Sequence, residues 1–426
     1  MLNDPCAQLL VALLRAQLGT AADPGAEQFA CCDWERFEHL ATHHGVTPIL
    51  YEALRERADL VPTERLQRIR LRYHGNALRN WVVNEFVDEI AAALSAARIT
   101  VILLKGAALL RTVYNDPALR RVSDIDLLVD ERDLDRAGEA FAALGLRVAG
   151  YGQEERRGPL CHMHVCYWRP TLGSIPVELH WRLFEGYQPY AFDLAEVAAH
   201  ALALPGMPPG VCTMSPEHEL AHLCLHLERH AMVYRSLIRR DDWFDLLLMP
   251  QGLGRLVWLY DIALSLQHRA SILDWDALVV MARRWAIDGH LHAVFELCRR
   301  AFGVGPPPTV LAALNRGGPR LADRLAHRVV CASRRALQDR PAGRSPNGAD
   351  WATAVAPCVL RLTHTWSSLF PSPAYLRAMY PVRQSAVGRY VKHLQVVAPD
   401  LWSEIRQRFA GGATHGELSR DARPHA

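Results

Sequence analysis

The chain predicts an α+β fold: a small mixed β-sheet core with helices, flanked by N-terminal and C-terminal helical regions. Three observations lead there. Residues 99–205 alternate short apolar runs of strand character with segments of helix length. The stretches on either side carry apolar residues at three- and four-residue spacing. A break, Pro205-Gly206-Met207-Pro208-Pro209-Gly210, then ends the alternating part. The expected organisation is a helical region at 1–98, the core at 99–205, a helical domain at 206–410 and a disordered tail at 411–426.

In chain order, Leu9, Leu10, Leu13 and Leu14 give a first helical stripe, and Asp33 is placed to cap a helix opening at Trp34. Residues 79–97 read as a long amphipathic helix leading into the first strand. Strands are expected at 100–105, 124–130, 146–151, 161–168 and 175–182, with helices at 107–114 and 131–144. Ser215-Pro216 is a helix start, with Ser as cap and Pro at the first helical position. Helix is expected over 215–337, an exposed loop at 339–350, and helix again over 352–409, broken at Phe370-Pro371-Ser372-Pro373.

The chemistry concentrates between Val101 and Val129. An apolar run ends in Lys105-Gly106, a helical segment follows, and then comes Ser123-Asp124-Ile125-Asp126-Leu127-Leu128-Val129. Strand side chains alternate faces, so Asp124 and Asp126 point one way while Ile125 and Leu127 enter a core. Two like charges on one apolar strand repel, and a divalent cation is the usual reason for the arrangement. In Val177-Glu178-Leu179-His180-Trp181 the same alternation sets Glu178 and His180 opposite the apolar residues. Asp-x-Asp with a later strand glutamate suits Mg²⁺ or Mn²⁺ held against nucleotide phosphates, provided Asp126 and Glu178 meet in space.

On the segments LLKGAALL, LRRVSDIDLLVD and PVELHW, the chain resembles the nucleotidyltransferase superfamily that includes DNA polymerase β, in particular a bacterial branch of largely uncharacterised members. Weaker similarity extends to DWERFEHLATHHGVTPILYEAL and LFPSPAYLRAMYP. The resemblance implies a metal-dependent transfer of a nucleoside monophosphate from NTP to an acceptor (RNA, protein or small molecule), with release of pyrophosphate. Asp124, Asp126 and Glu178 are then the catalytic and metal-binding carboxylates. Lys105, Gly106, Ala107, Arg120 and Ser123 lie at the nucleotide, with His180 as an accessory residue. Where the superfamily usually carries Gly-Ser or Gly-Gly, this chain has Gly106-Ala107. Backbone N–H groups at the following helix start remain able to bind phosphate. Two further readings stand beside this one: a non-catalytic nucleotide- or partner-binding protein of the same fold, and a toxin that nucleotidylates tRNA.

Composition narrows the setting. Lysine stands only at 105 and 392, the other 46 basic residues being arginine, so a lysine kept at a strand end points to a need for a compact ammonium. A formal charge of +3 does not by itself demand a nucleic-acid partner. No apolar run approaches a membrane span, no secretory signal is visible, and the ten cysteines include no Cys-x-x-Cys pair, so a cytoplasmic protein with reduced thiols is expected.

Other polar patterns have plainer readings. His218, His222, His226 and His230 recur on one helix face, but the Glu of a His-Glu-x-x-His site is missing, and histidines packed near a cleft are commoner than zinc ligands. His162, His164 and Cys166 share a strand face that reads as the border of the cleft. Arg316, Arg320, Arg324 and Arg328, and the cluster Arg65, Arg68, Arg70, Arg72 and Arg79, read either as solvated helix faces or as contacts to RNA phosphates. Arg120 reads either as a phosphate contact or as a brace of the loop before the Asp pair.

Overall fold

A computed structural model describes residues 4–149, 163–170, 175–184, 192–231 and 255–315, with scattered positions between 376 and 395. The arginine stripe from Arg316 to Arg328, the loop expected at 339–350, most of the helix expected over 352–409 and the tail expected from Gly411 lie outside them.

The α+β expectation holds. The N-terminal helices are α1 (Pro5–Gln17), α2 (Ala26–Ala30), α3 (Trp34–His43), α4 (Thr47–Arg55) and α5 (Thr63–Ala96). Asp33 caps α3 by accepting from the backbone N–H of Glu35 and Arg36, at 3.0 and 3.2 Å. The helix expected at 79–97 begins sixteen residues earlier, at Thr63. Its first half is too polar to show an amphipathic period, and contacts with α4 and with the loop before the Asp pair hold it instead.

Strand β1 (Val101–Leu103) feeds α6 (Lys105–Thr112), followed by β2 (Ile125–Leu128), α7 (Leu134–Ala143) and β3 (Arg147–Val148). Next come β4 (His164–Trp168), β5 (Val177–His180), α8 (Leu194–Ala199), β6 (Leu202–Ala203) and β7 (Val211–Thr213). The sheet is mixed and seven-stranded among the described residues, in the order β3-β4-β5-β2-β1-β7-β6. β2 runs antiparallel to β1 and parallel to β5, and β1 runs parallel to β7.

Two further details differ from the sequence expectation. Lys105 opens a helix rather than ending a strand, because Leu104 already has the extended backbone of a helix cap. The Pro/Gly segment at 205–210 joins the antiparallel pair β6 and β7, so the sheet draws strands from both sides of the boundary expected at 205/206. Strands of two and three residues carry too little periodicity to read from sequence.

After the sheet come α9 (Pro216–Ala231), α10 (Leu256–His268), α11 (Trp275–Arg284), α12 (Asp288–Phe302) and α13 (Pro308–Leu314). One contiguous apolar core joins α1, the sheet and these helices, from Leu9 and Phe37 through Val101 and Leu127 to Phe295 and Leu314. No helix among the described residues is long and apolar enough to cross a membrane.

Candidate active site

Strand pairing assembles the site. In the parallel pair β2–β5, Asp126 lies opposite Glu178 and Leu128 opposite His180. The antiparallel neighbour β4 sets His164 opposite His180 and Cys166 opposite Glu178. The alternate residues Ile125, Leu127, Val177 and Leu179 are fully buried on the core side. Asp124, Asp126 and Glu178 each bring a carboxylate oxygen within 4.8 Å of the others, the reach of a single cation. His164, Glu178 and His180 form a second group of the same compactness.

Asp126 is the buried centre, 2% exposed. Its Oδ1 accepts from Lys105 Nζ at 2.7 Å and contacts His180 Nε2 at 3.0 Å. Burial alone would raise the Asp126 carboxyl, but the Lys105 ammonium and His180 hold it well below the ordinary carboxylate range. Lys105 shows the converse: burial pushes its ammonium down, and the Asp126 charge outweighs that and holds it above its usual value. The His180 ring also reaches Glu178 Oε2, at 3.3 Å through the same Nε2. Burial would lower its pKa, yet bonding to both carboxylates raises it. Asp124 sits at the cleft edge and accepts from Ser123 Oγ at 2.8 Å. Burial and then the neighbouring Asp126 charge push it up.

The cleft in front of these groups has a volume of about 230 Å³ and is lined by Lys105, Gly106, Arg120, Ser123, Asp124, Asp126 and Glu178 among others. Ala107 is buried and not part of that lining. The first turn of α6 has no side-chain cap, so its backbone N–H groups at Lys105, Gly106 and Ala107 lack the partner a cap would supply. Gly106 packs closely on the loop before the Asp pair: a Cβ there would stand 3.1 Å from Val122 Cγ2, and that methyl would have to give way. Lys105 itself has φ +48, a left-handed conformation that L-residues adopt at a cost of about 1–2 kcal/mol.

Arg120 is buried against Asp261 of α10, with Nε donating at 2.9 Å to Oδ1 and Nη2 2.9 Å from Oδ2, while Tyr114 OH donates to the same carboxylate at 2.7 Å. Of the two roles left open from sequence, this contact is the bracing one, although Arg120 also faces the cleft.

The histidine stripe divides. His218 Nδ1 contacts Ser215 Oγ at 2.7 Å, His222 is buried beside Phe184, and His226 packs edge-on to Trp258. Burial, then the Lys105 charge, pushes His222 down to about 3. Among the described residues the stripe forms no metal-binding group. The side chain of His230, like Cys161 and His162, lies outside them.

Apart from Arg79, read from sequence only as part of a basic cluster, several residues that hold the site gave no sequence signal of function. Tyr73, Asn76, Arg79 and Asn80 of α5 clamp the loop at 116–123. Tyr73 OH donates to Asp116 at 2.5 Å, and Asn80 Nδ2 donates to the carbonyl of Arg120 at 2.6 Å. Arg79 donates to the carbonyls of Val122 and Ser123, at 3.1 Å each. Two asparagines four apart inside a helix, where Asn is a poor former, are the available hint.

A family model described as "Uncharacterised nucleotidyltransferase" matches residues 30–303, from α3 through α12. The chain belongs to this family. Membership makes it a nucleotidyltransferase-family protein and implies a nucleotide substrate. No curated protein and no solved structure matches it.

Proposed function

We propose that the chain transfers a nucleoside monophosphate from NTP to an acceptor, releasing pyrophosphate, at the Asp124/Asp126/Glu178 cluster. The observation that carries this is the meeting of three carboxylates across the in-register β2–β5 pair. The same arrangement supports placing the family in the DNA polymerase β-like superfamily.

The donor set fits a hard divalent cation: all three ligand atoms are carboxylate oxygens, and Asp126 keeps its negative charge despite burial. Asp124 and Asp126, with Glu178, would hold Mg²⁺ or Mn²⁺. When bound, the ion neutralises triphosphate charge as it shifts toward the leaving pyrophosphate. The protein's own groups do the positioning. Lys105 and the first turn of α6 steady the phosphates, Ser123 orients Asp124, and His180 ties Asp126 to Glu178. The acceptor oxygen forms a bond to the α-phosphorus as the α–β phosphoanhydride bond breaks. Glu178, which lines the cleft, either completes the carboxylate set around the ion or takes the proton of an acceptor hydroxyl.

The test is label transfer. Wild type and Asp124→Asn/Asp126→Asn are incubated with Mg²⁺ or Mn²⁺, each α-labelled NTP, and cell extract split into RNA, protein and small-molecule fractions. Label in one fraction with wild type alone is the expected result and names the acceptor class. Intact NTPs, no labelled fraction and no metal-dependent nucleotide binding would overturn the proposal in favour of a non-catalytic protein of this fold.

A further inference from the structure

A second cavity, of about 290 Å³, adjoins the carboxylate cleft and shares Gly45 and Arg121 with it. Arg72, Arg79 and Arg121 line it, and no carboxylate does. The arginine cluster of α5 is thereby split in two. Arg65 and Arg68 are neutralised by Glu38 and Glu64. Arg72, in contrast, donates to Thr42 Oγ1 at 2.5 Å, and Arg79 donates to two backbone carbonyls. Both charges therefore meet neutral oxygens. Arg121 is exposed, with no ion pair among the described residues. Arg79 and Arg121 are close enough to repel: burial lowers the Arg79 pKa and the Arg121 charge lowers it further, with Asp124 of the neighbouring cleft offsetting only part of this.

Arg79 and Arg121 repel across a concavity whose lining holds no carboxylate, Arg72 adds a third guanidinium to it, and an anion entering there would offset the charge. The planar guanidinium forks match the several oxygens of a phosphate dianion. The cavity is also coupled to the chemistry. Arg79 holds the carbonyl of Ser123, whose hydroxyl holds Asp124. The triphosphate has its own partners within the first cleft, at Lys105 and the start of α6. We infer that the Arg72/Arg79/Arg121 cavity is the acceptor subsite and that the acceptor carries a phosphate group. This rests on the nucleotidyltransferase reading above.

The competing source of the same chemistry is the triphosphate tail of the NTP, and the experiment separates the two. Binding of phenyl phosphate, a phosphomonoester probe, and of a non-hydrolysable NTP analogue with Mn²⁺ is measured on the full chain by calorimetry. The proteins are wild type, Arg72→Ala, Arg72→Glu and Arg72→Lys; Arg72 is exposed and lines only the second cavity. The expected result is that phenyl phosphate still binds when the analogue is saturating. Arg72→Ala weakens the probe about tenfold, Arg72→Glu weakens it more and Arg72→Lys restores part, while analogue affinity changes by less than about threefold. Mutual exclusion of probe and analogue, with both weakened by Arg72→Ala, overturns the inference and makes the cavity a triphosphate site. Phenyl phosphate binding that is absent, or indifferent to Arg72, overturns it as well. Failure of the underlying reading shows in a separate arm: no metal-dependent analogue binding by wild type removes the acceptor role whatever the probe does.

Discussion

At Lys105 two local penalties meet, a left-handed backbone and burial of an ammonium, and the Asp126 carboxylate offsets the second. Strain of this kind persists where the surroundings fix it, and it clusters at functional sites. The two contributions can be separated. Lys105→Gly and Lys105→Ala both remove the ammonium, so both should lower label transfer by about 10²-fold or more. Glycine alone accepts φ +48 freely, so urea unfolding should find the Gly variant more stable than the Ala variant by about 1 kcal/mol. Lys105→Arg keeps the charge but replaces a compact ammonium with a broad fork in a confined place, and it should not restore transfer. Equal stability of the Gly and Ala variants would refute the strain argument.

Between elements, the loop at 116–123 hangs from α5 on one side and α10 on the other. Asn80 spans it, with Nδ2 donating to the carbonyls of Pro117 and Arg120 and Oδ1 accepting from the Val122 N–H at 3.4 Å. Asn80→Ala leaves those buried groups unpartnered and should cost about 2–3 kcal/mol in urea unfolding. Breaking the buried Arg120–Asp261 pair from one side, as in Arg120→Met, should cost about 3–5 kcal/mol, with part recovered in Arg120→Met/Asp261→Leu. The absence of any recovery in the double variant would show that the uncompensated Asp261 charge is not the cause. The same helix α10 starts on His44, whose Nδ1 accepts from the Leu256 N–H at 3.4 Å and whose carbonyl accepts from the Val257 N–H at 3.1 Å. Burial holds His44 down at about 4, against an ordinary 6.5. Its folded pKa is thus below its unfolded one, so its contribution is present above pH 6.5 and is lost as the pH falls toward 4. At pH 5 the loss is about 2 kcal/mol, measurable as a steeper fall in the urea midpoint of wild type than of His44→Gln. Parallel pH profiles would contradict the assignment.

Across the whole molecule, a cation held by Asp124, Asp126 and Glu178 binds residues from two strands that only the folded chain brings together. Binding to the native state alone stabilises it by about 2.7 kcal/mol at one hundred times Kd. Mn²⁺ should accordingly raise Tm by a few degrees in wild type and leave Asp124→Asn/Asp126→Asn unchanged in differential scanning fluorimetry. An equal shift in both proteins would place the ion elsewhere.

The separate pieces were legible because their causes are local. Strand alternation put Asp124 with Asp126, and Glu178 with His180, on the faces away from Ile125, Leu127, Val177 and Leu179, which the structure buries. The Lys105-Gly106 turn, the Asp33 cap and the helical flanks follow from the same short-range rules of spacing and capping. What remained closed to the sequence depends on which strands and helices meet. Asp126 opposite Glu178 is a matter of β2–β5 register. The choice of Asp261 as partner for Arg120, and the union of Arg72 and Arg79 with Arg121, join residues 42 or more positions apart. Periodicity fixes the face a side chain takes within its own element, whereas burial of the shared core fixes which faces come together, and only the tertiary structure decides that.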